Sequence, residues 1–171
     1  MSHLALVGLM GAGKSTVGRR CATRLGRPFV DTDGVIVTTA GQSISEIFAA
    51  GGEARFREIE RTVVADVCAS PEPLVIACGG GVVLDPDNRR VLRASGVVVW
   101  LRASAEVLAR RVGTGANRPL LRDDPLGTLR RLERLREPAY EAAAHCILDT
   151  DEMDLDDVAT QVLASFESVS A

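Results

Sequence analysis

Lysine is almost missing from this sequence: nineteen of its twenty Lys and Arg residues are Arg, and the only lysine is Lys14. Aromatic residues are also few, with one Trp, one Tyr and four Phe in 171 residues, too few to build stacking platforms for single-stranded nucleic acid. No apolar stretch approaches the roughly 18 to 20 residues that span a bilayer, and the chain runs from Met1 into HLALVG with no basic leader. Cys21, Cys68, Cys78 and Cys146 form no close pair with zinc or redox spacing, so free thiols are expected. A net charge of −3 and a pI near 5.4 argue against a surface built for nucleic acid or an anionic membrane. Any anion site must therefore be local, and a cytoplasmic, monomeric protein with no nucleic-acid or membrane partner is expected.

What is present is a chain of ordinary domain length, 46% hydrophobic, able to bury a substantial core without disulfides. Short apolar runs rich in branched residues lie at 3–7, 28–31, 73–78, 96–101 and 145–148. They do not alternate, as expected of strands covered on both faces of a parallel sheet. Between them run helical patterns over 15–25, 43–69 with a break near Gly51-Gly52, 86–94, 104–112, 124–142 and 155–167. Ser43 with Glu46 reads as a capping box, and Asp85-Pro86 as an N-cap with proline at the first helical position. The βαβα order predicts a single α/β doubly wound domain over residues 1–171. GTGANRPLLRDDP, residues 113–125, is the most irregular stretch and reads as a mobile loop with an anion to hold.

Gly8, Gly13, Lys14 and Ser15 satisfy G-x-x-x-x-G-K-[ST], after a strand ending at Val7 and before a helix starting near Lys14. In such a loop Gly11, Ala12 and Gly13 let backbone N–H groups curl around a phosphate, where orphan donors and the helix dipole favour negative charge. Lys14 would reach the β- and γ-oxygens, and the Ser15 hydroxyl would bind Mg²⁺. The sole lysine thus falls where an ammonium is wanted. A GTPase would need an N-K-x-D motif, which a chain with one lysine cannot supply. A motor or large ATPase would end a buried strand in an acid, whereas PLVIAC runs into Gly79-Gly80-Gly81.

The metal's carboxylate is then sought in FVDTD, where Asp31 and Asp33 at a strand end would point the same way; the alternative is that they cap a following helix. Arg57 and Glu60 in FREIE are i, i+3 neighbours on one helix face, suited to an acceptor site or to plain surface pairing with Glu53 and Arg61. Arg130, Arg131, Arg134 and Arg136 alternate with Glu133 and Glu137, a pattern that usually marks a solvated face. Three glycines at 79–81 weaken a strand end and point to close backbone approach to a ligand, or to a flexible turn. Arg110 and Arg111 are placed either to stack on adenine or to complement a helix C-terminus.

In this order the motifs resemble the shikimate kinase family. The match runs from Val7 to Tyr140 through GLMGAGKST, DTD at 31–33, FREIE at 56–60, GGG at 79–81, NRPLL at 117–121 and REPAY at 136–140. The resemblance implies a three-layer P-loop NTPase fold, nucleoside-monophosphate-kinase-like, with a five-stranded parallel sheet. It implies transfer of the γ-phosphate of ATP to the 3-hydroxyl of shikimate, on the way to aromatic amino acids. By the same resemblance Asp33 bonds shikimate hydroxyls, Arg57 and Arg136 hold its carboxylate, and Gly79, Gly80 and Gly81 pack against its ring. Asp31 and Ser15 hold one Mg²⁺ per nucleotide. Gly11, Ala12, Gly13, Lys14, Ser15, Thr16 and Arg111 contact the nucleotide. Arg118 comes onto the phosphates from a lid over about 113–122, and Lys14, Asp33 and Arg118 form the catalytic set. The acceptor segment is about 33–61.

Paired arginines suit an acceptor that is itself an anion, since guanidinium forks match a carboxylate. A kinase for another small polyol acid, such as gluconate, shares the phosphate loop but need not share DTD, GGG and REPAY. A non-catalytic ATP-binding switch is the reading from another class. The four thiols are expected to be buried or half-buried. Cys78 stands just before the glycine triplet, where a hydroxyl or another small residue is expected, and its alkylation would block the acceptor site. The acidic DTDEMDLDD at 149–157 lacks an arginine for the adenine side.

Overall fold

A computed structural model describes residues 2–113 and 124–170. Arg118 and, apart from Gly113, the expected lid lie outside the described residues. Five strands, β1 (His3–Val7), β2 (Phe29–Asp31), β3 (Val75–Ala77), β4 (Gly96–Arg102) and β5 (Cys146–Asp149), form one sheet in the order β2-β3-β1-β4-β5. Every neighbouring pair is parallel. All five residues of β1 are buried. Because successive side chains point to opposite faces, both faces of the sheet must be covered.

The cover is helical. One group pairs α1 (Lys14–Leu25) with α7 (Leu155–Ser170); the other joins α3 (Ile44–Cys68), α4 (Pro86–Ser95) and α6 (Pro125–Ala143). α5 (Ala105–Val112) packs on α6. The main core runs through the sheet from Leu4, Leu6 and Ile76 to Trp100, Leu129 and Phe166. β1 lies between β3 and β4, so the chain leaves it towards one side of the sheet and later returns to the other. The crevice at such a switch point, beyond the C-terminal strand ends, is where folds of this class bind ligands.

The expected strands and helices are present, with two additions: a short 3-10 helix at Val82–Leu84 and an α-helix. Thr32–Ala40 forms a further helix, α2. Its sequence, TDGVIVTTA, has branched residues and a glycine, poor helix formers without a helical stripe. Tertiary contacts override that preference: Ile36 packs with Ile47, Phe56 and Val63 of α3 in a second small core, and the Asp31 side chain caps the first turn by accepting from the Asp33 N–H at 3.1 Å. The capping alternative for Asp31 is thus realised, and Asp33 stands on the first turn of a helix, not on a strand end.

The break in α3 falls at the glycine pair that predicts it. Gly52 has φ 66° and ψ −169°, a region essentially reserved for glycine. Nothing lies within 4 Å of a Cβ placed there, so the constraint is backbone torsion alone. Gly52→Ala is expected to cost about 1–3 kcal/mol in urea unfolding. A cost below about 0.5 kcal/mol, the usual effect of a surface substitution, would show that the helix accommodates the change without strain.

Candidate active site

The loop from Gly8 to Gly13 joins β1 to α1 at the switch point. Gly8, Gly11 and Gly13 all have positive φ, at 146°, 84° and 86°. At Gly8 space is as tight as torsion, since a Cβ would stand 2.6 Å from the Leu101 carbonyl oxygen. α1 begins directly on left-handed Gly13, with no side-chain cap and no acid in its first turn. The other six α-helices described all begin with a side-chain acceptor: Asp31, Ser43, Asp85, Ser104, Asp124 and Asp154. The first amides of α1 are therefore left to bond an external anion.

The Lys14 ammonium donates to the carbonyls of Gly8 at 2.8 Å and Leu9 at 3.0 Å, which holds the cation over the loop. Beside it the Ser15 hydroxyl donates to Asp31 Oδ2 at 2.6 Å, bringing two hard oxygen ligands together. A cleft of about 280 Å³ is lined by Lys14, Ser15, Thr16, Asp31, Asp33 and Gly79–Gly80, with parts of the loop. Asp31 and Asp33 do face one site, although they reach it from a strand end and a helix start.

A second, larger cleft of about 670 Å³ continues past Gly11–Gly13 and Thr16 to Arg20, Arg111, Met153, Leu155 and Asp156. Arg111 is tied to it by donating to the Thr150 carbonyl at 2.7 Å. Arg110 does not line this cleft. The acidic segment supplies Asp154, whose carboxylate caps α7, and Asp156, which pairs with Arg20 at 3.0 Å.

On the other side of the loop stands the glycine triplet. A Cβ on Gly79 would lie 2.6 Å from Asp33 Oδ1. One on Gly81 would lie 2.7 Å from Arg57 Nη1, and one on Gly80 would lie 3.6 Å from Arg136 Nη1. The missing side chains make room for Asp33 and Arg57, a reason for glycine that no local pattern in the chain reveals. Arg136 leaves the charged pattern of α6 and reaches this same corner, whereas Arg130 of that helix pairs with Glu106 at the surface.

Arg57 pairs with Glu53 at 3.2 Å and Glu60 at 2.7 Å. The surface-pairing alternative holds for Glu53 only, because the Glu60 side chain is 1% exposed. Burial pushes the Glu60 carboxyl up from its ordinary value, against the pull of Arg57 and with the help of the Asp33 and Asp85 charges. Glu60 Oε1 and Arg136 Nε are both buried without a hydrogen-bond partner among the described residues. Buried polar atoms are rarely left so; an acceptor and a donor orphaned beside one glycine triplet fit a bound molecule carrying both hydroxyl and anionic groups.

Cys78 departs from expectation in its reactivity alone. It is buried, as expected of these thiols, but it lines the cleft behind the triplet at 2% exposure. Desolvation pushes its thiol far up, so little thiolate is present for the expected alkylation. Thr32 and Tyr140 are site-adjacent residues that the motifs alone do not single out. Both are buried and bond the triplet backbone. Thr32 lies inside DTD and Tyr140 one turn beyond Arg136, and that adjacency is the available signal.

A family model for shikimate kinase matches residues 10–167. The chain belongs to the shikimate kinase family. A shikimate kinase from Symbiobacterium thermophilum is 48% identical over 168 residues, covering 96% of each chain. A shikimate kinase from Acinetobacter baumannii, solved in complex with shikimate, superposes with a TM-score of 0.92 at 38% identity, covering 98% of this chain and 94% of that one. A gluconokinase from Sinorhizobium meliloti superposes with a TM-score of 0.67 at 22% identity, covering 98% of this chain and 93% of that one, a likeness that shows the fold alone. No helix among the described residues is long and apolar enough to cross a membrane.

Glu60 gives a pH dependence with a definite sign. Its folded pKa is raised above the ordinary 4.5, so the folded state binds the proton more tightly than the unfolded one. The associated stability is fully present below about pH 4.3, the unfolded value, and is lost as pH rises through the folded pKa. Glu60→Gln keeps the shape and removes the titration. The wild-type Tm minus that of Glu60→Gln is expected to fall as pH is raised from about 4 to about 7. A difference that stays constant in thermal melts across that range would show that Glu60 ionises as it does in water.

Proposed function

We propose that this chain transfers the γ-phosphate of ATP to the 3-hydroxyl of shikimate, giving shikimate 3-phosphate and ADP in the pathway to the aromatic amino acids. The observation that supports the reading is the glycine triplet: Gly79 and Gly80 line one cleft with Asp33, Lys14 and Ser15, and Arg136 and Arg57 stand against Gly80 and Gly81. A hydroxylated carboxylic acid placed there would offer its carboxylate to two guanidinium groups and its hydroxyls to Asp33. One hydroxyl would then face the phosphate loop.

In this reading the amides of Gly11, Ala12 and Gly13, with Lys14 and Thr16, hold the β- and γ-phosphates, and Arg111 borders the base. Phosphoryl transfer passes through a loose transition state with charge spread over its peripheral oxygens, so placement and charge neutralisation by Lys14 matter more than a strong base. Asp33 is assigned first to orienting the attacking hydroxyl, with Oδ1 in the room that Gly79 leaves by having no side chain. Arg118, outside the described residues, is assigned to the transferred phosphate by family resemblance.

The donor set beside the loop fits Mg²⁺. Ser15 and Asp31 present hard oxygens in contact with each other, and no cluster of three or more acidic, His or Cys ligands exists among the described residues. That suits an ion which keeps its waters and is bound by one or two protein oxygens plus phosphates. When bound with ATP, Mg²⁺ offsets the negative charge of the β- and γ-phosphates. Asp31, already engaged with Ser15 and the backbone amide of Asp33, is preorganised for that contact.

An acceptor panel in a coupled ADP-release assay tests the substrate: shikimate turned over and gluconate ignored is expected, and the reverse would end this reading. Arg136→Ala removes a charge-assisted bond worth about 1.5–3 kcal/mol. It is expected to raise the KM for shikimate roughly ten- to a hundredfold while leaving that for ATP nearly unchanged. Equal effects on both substrates would remove Arg136 from the carboxylate.

A further inference from the structure

The glycine triplet has no side chains with which to anchor itself, yet three binding groups are gauged against it. Pairing with the sheet runs to the end of β3, where Asp31 lies beside Ala77 and the Cys78 N–H donates to the Leu6 carbonyl. Beyond Cys78 two buried hydroxyls take hold. The Gly79 N–H donates to Thr32 Oγ1 at 3.0 Å, and the Tyr140 hydroxyl donates to the Gly80 carbonyl.

These two residues belong to the helices that carry the binding groups. Thr32 opens α2 between Asp31 and Asp33 and is 1% exposed. Tyr140 follows Arg136 by one turn of α6, is 1% exposed, and stacks on Trp100 of β4 with ring centres 5.2 Å apart and planes 19° from parallel. Each hydroxyl therefore ties one binding helix to the same glycine backbone, whose Gly79 and Gly81 carbonyls also accept from the Val82 and Leu84 N–H groups. Without Cβ atoms such a backbone has a wide choice of conformations.

We infer that Thr32 and Tyr140 are positioning residues for the acceptor: their hydroxyls fix Gly79 and Gly80 so that Asp33 and Arg136 meet one substrate in register. The inference rests on the proposed shikimate kinase reading. Neither residue touches the reacting atoms in it. Their effect is to set the distance between a carboxylate on α2 and a guanidinium on α6, and errors of about 1 Å in such placement can cost two orders of magnitude in rate.

The test uses three variants of the full chain: Thr32→Val and Tyr140→Phe, which delete one hydroxyl each at nearly constant shape, and Thr32→Ser, which restores it. Steady-state ADP release is measured against shikimate and ATP separately, with thermal melts alongside. Thr32→Val and Tyr140→Phe are expected to raise the KM for shikimate about fivefold or more, the lower end for a buried bond left half-made, with the KM for ATP within about twofold. Thr32→Ser is expected to return to wild type. A shikimate KM that stays within about twofold in both deletions, or that rises in step with the ATP KM, overturns the inference. Should Thr32→Val fail to fold, Tyr140→Phe decides the matter alone by the same criterion. A wild type that ignores shikimate sinks the underlying reading; an active wild type with indifferent variants sinks only the positioning role.

Discussion

The structure depends on one helix start that is left unfinished. Six α-helices satisfy their first amides with a side-chain oxygen; α1, at the end of the central strand, opens on left-handed Gly13 and satisfies none that way. A missing cap of this kind, with glycine at the cap position, forgoes roughly a few tenths of a kcal/mol of stability. It also leaves a positive helix end facing the cleft with no acid in its own first turn to offset it. The burial of β1 from both faces holds that end rigid, so the donors are arranged before an anion arrives, and little reorganisation is left for the moment of transfer.

The acceptor pole carries the opposite compromise. Glu60 is a carboxylate taken out of water, and a buried ion pair often fails to recover its desolvation cost. Its partner Arg57 is aimed at Gly81 across a gap that any side chain there would close. The arrangement gives up stability to hold a guanidinium fork in one orientation. With Glu53 on its outer side, Arg57 is braced between two carboxylates, one wet and one dry. A flexible arginine would lose more entropy on binding an acid than one already fixed.

Much of this is legible in the chain, and the exceptions have physical causes. The strands announce themselves by unbroken branched runs, and the phosphate loop by its glycines with Lys14 and Ser15 between a strand and a helix. α2 is not legible because its helicity comes from Ile36 docking against α3 and from the Asp31 cap, while its own residues prefer extended backbone. Without α2, Asp33 falls on a strand. The two aspartates still converge, because the chain passes directly from β2 into α2 and turns the second back beside the first. Glycines at 79–81 are legible as a close approach, but not what approaches: Asp33 and Arg57, distant in sequence, meet there only after folding. Cys78 is legible as a buried thiol but not as an inert one, because only the fold shows the main core reaching to the edge of the site.

The near-absence of lysine bears on the chemistry at both ends of the cleft. Lys14 places its ammonium on two adjacent carbonyls of its own loop, 2.8 and 3.0 Å away. An ammonium is a compact charge with three donors on a flexible stem and can swing from those carbonyls to phosphate oxygens. A guanidinium is broader and planar, with its donors fixed in a fork, and matches two adjacent loop carbonyls and a phosphate less readily than a point charge does. At the acceptor end the preference inverts, because a planar fork matches a carboxylate bidentately and a point charge does not. A chain that uses arginine at nineteen of twenty Lys and Arg positions therefore keeps its one lysine where a compact, mobile charge suits the task.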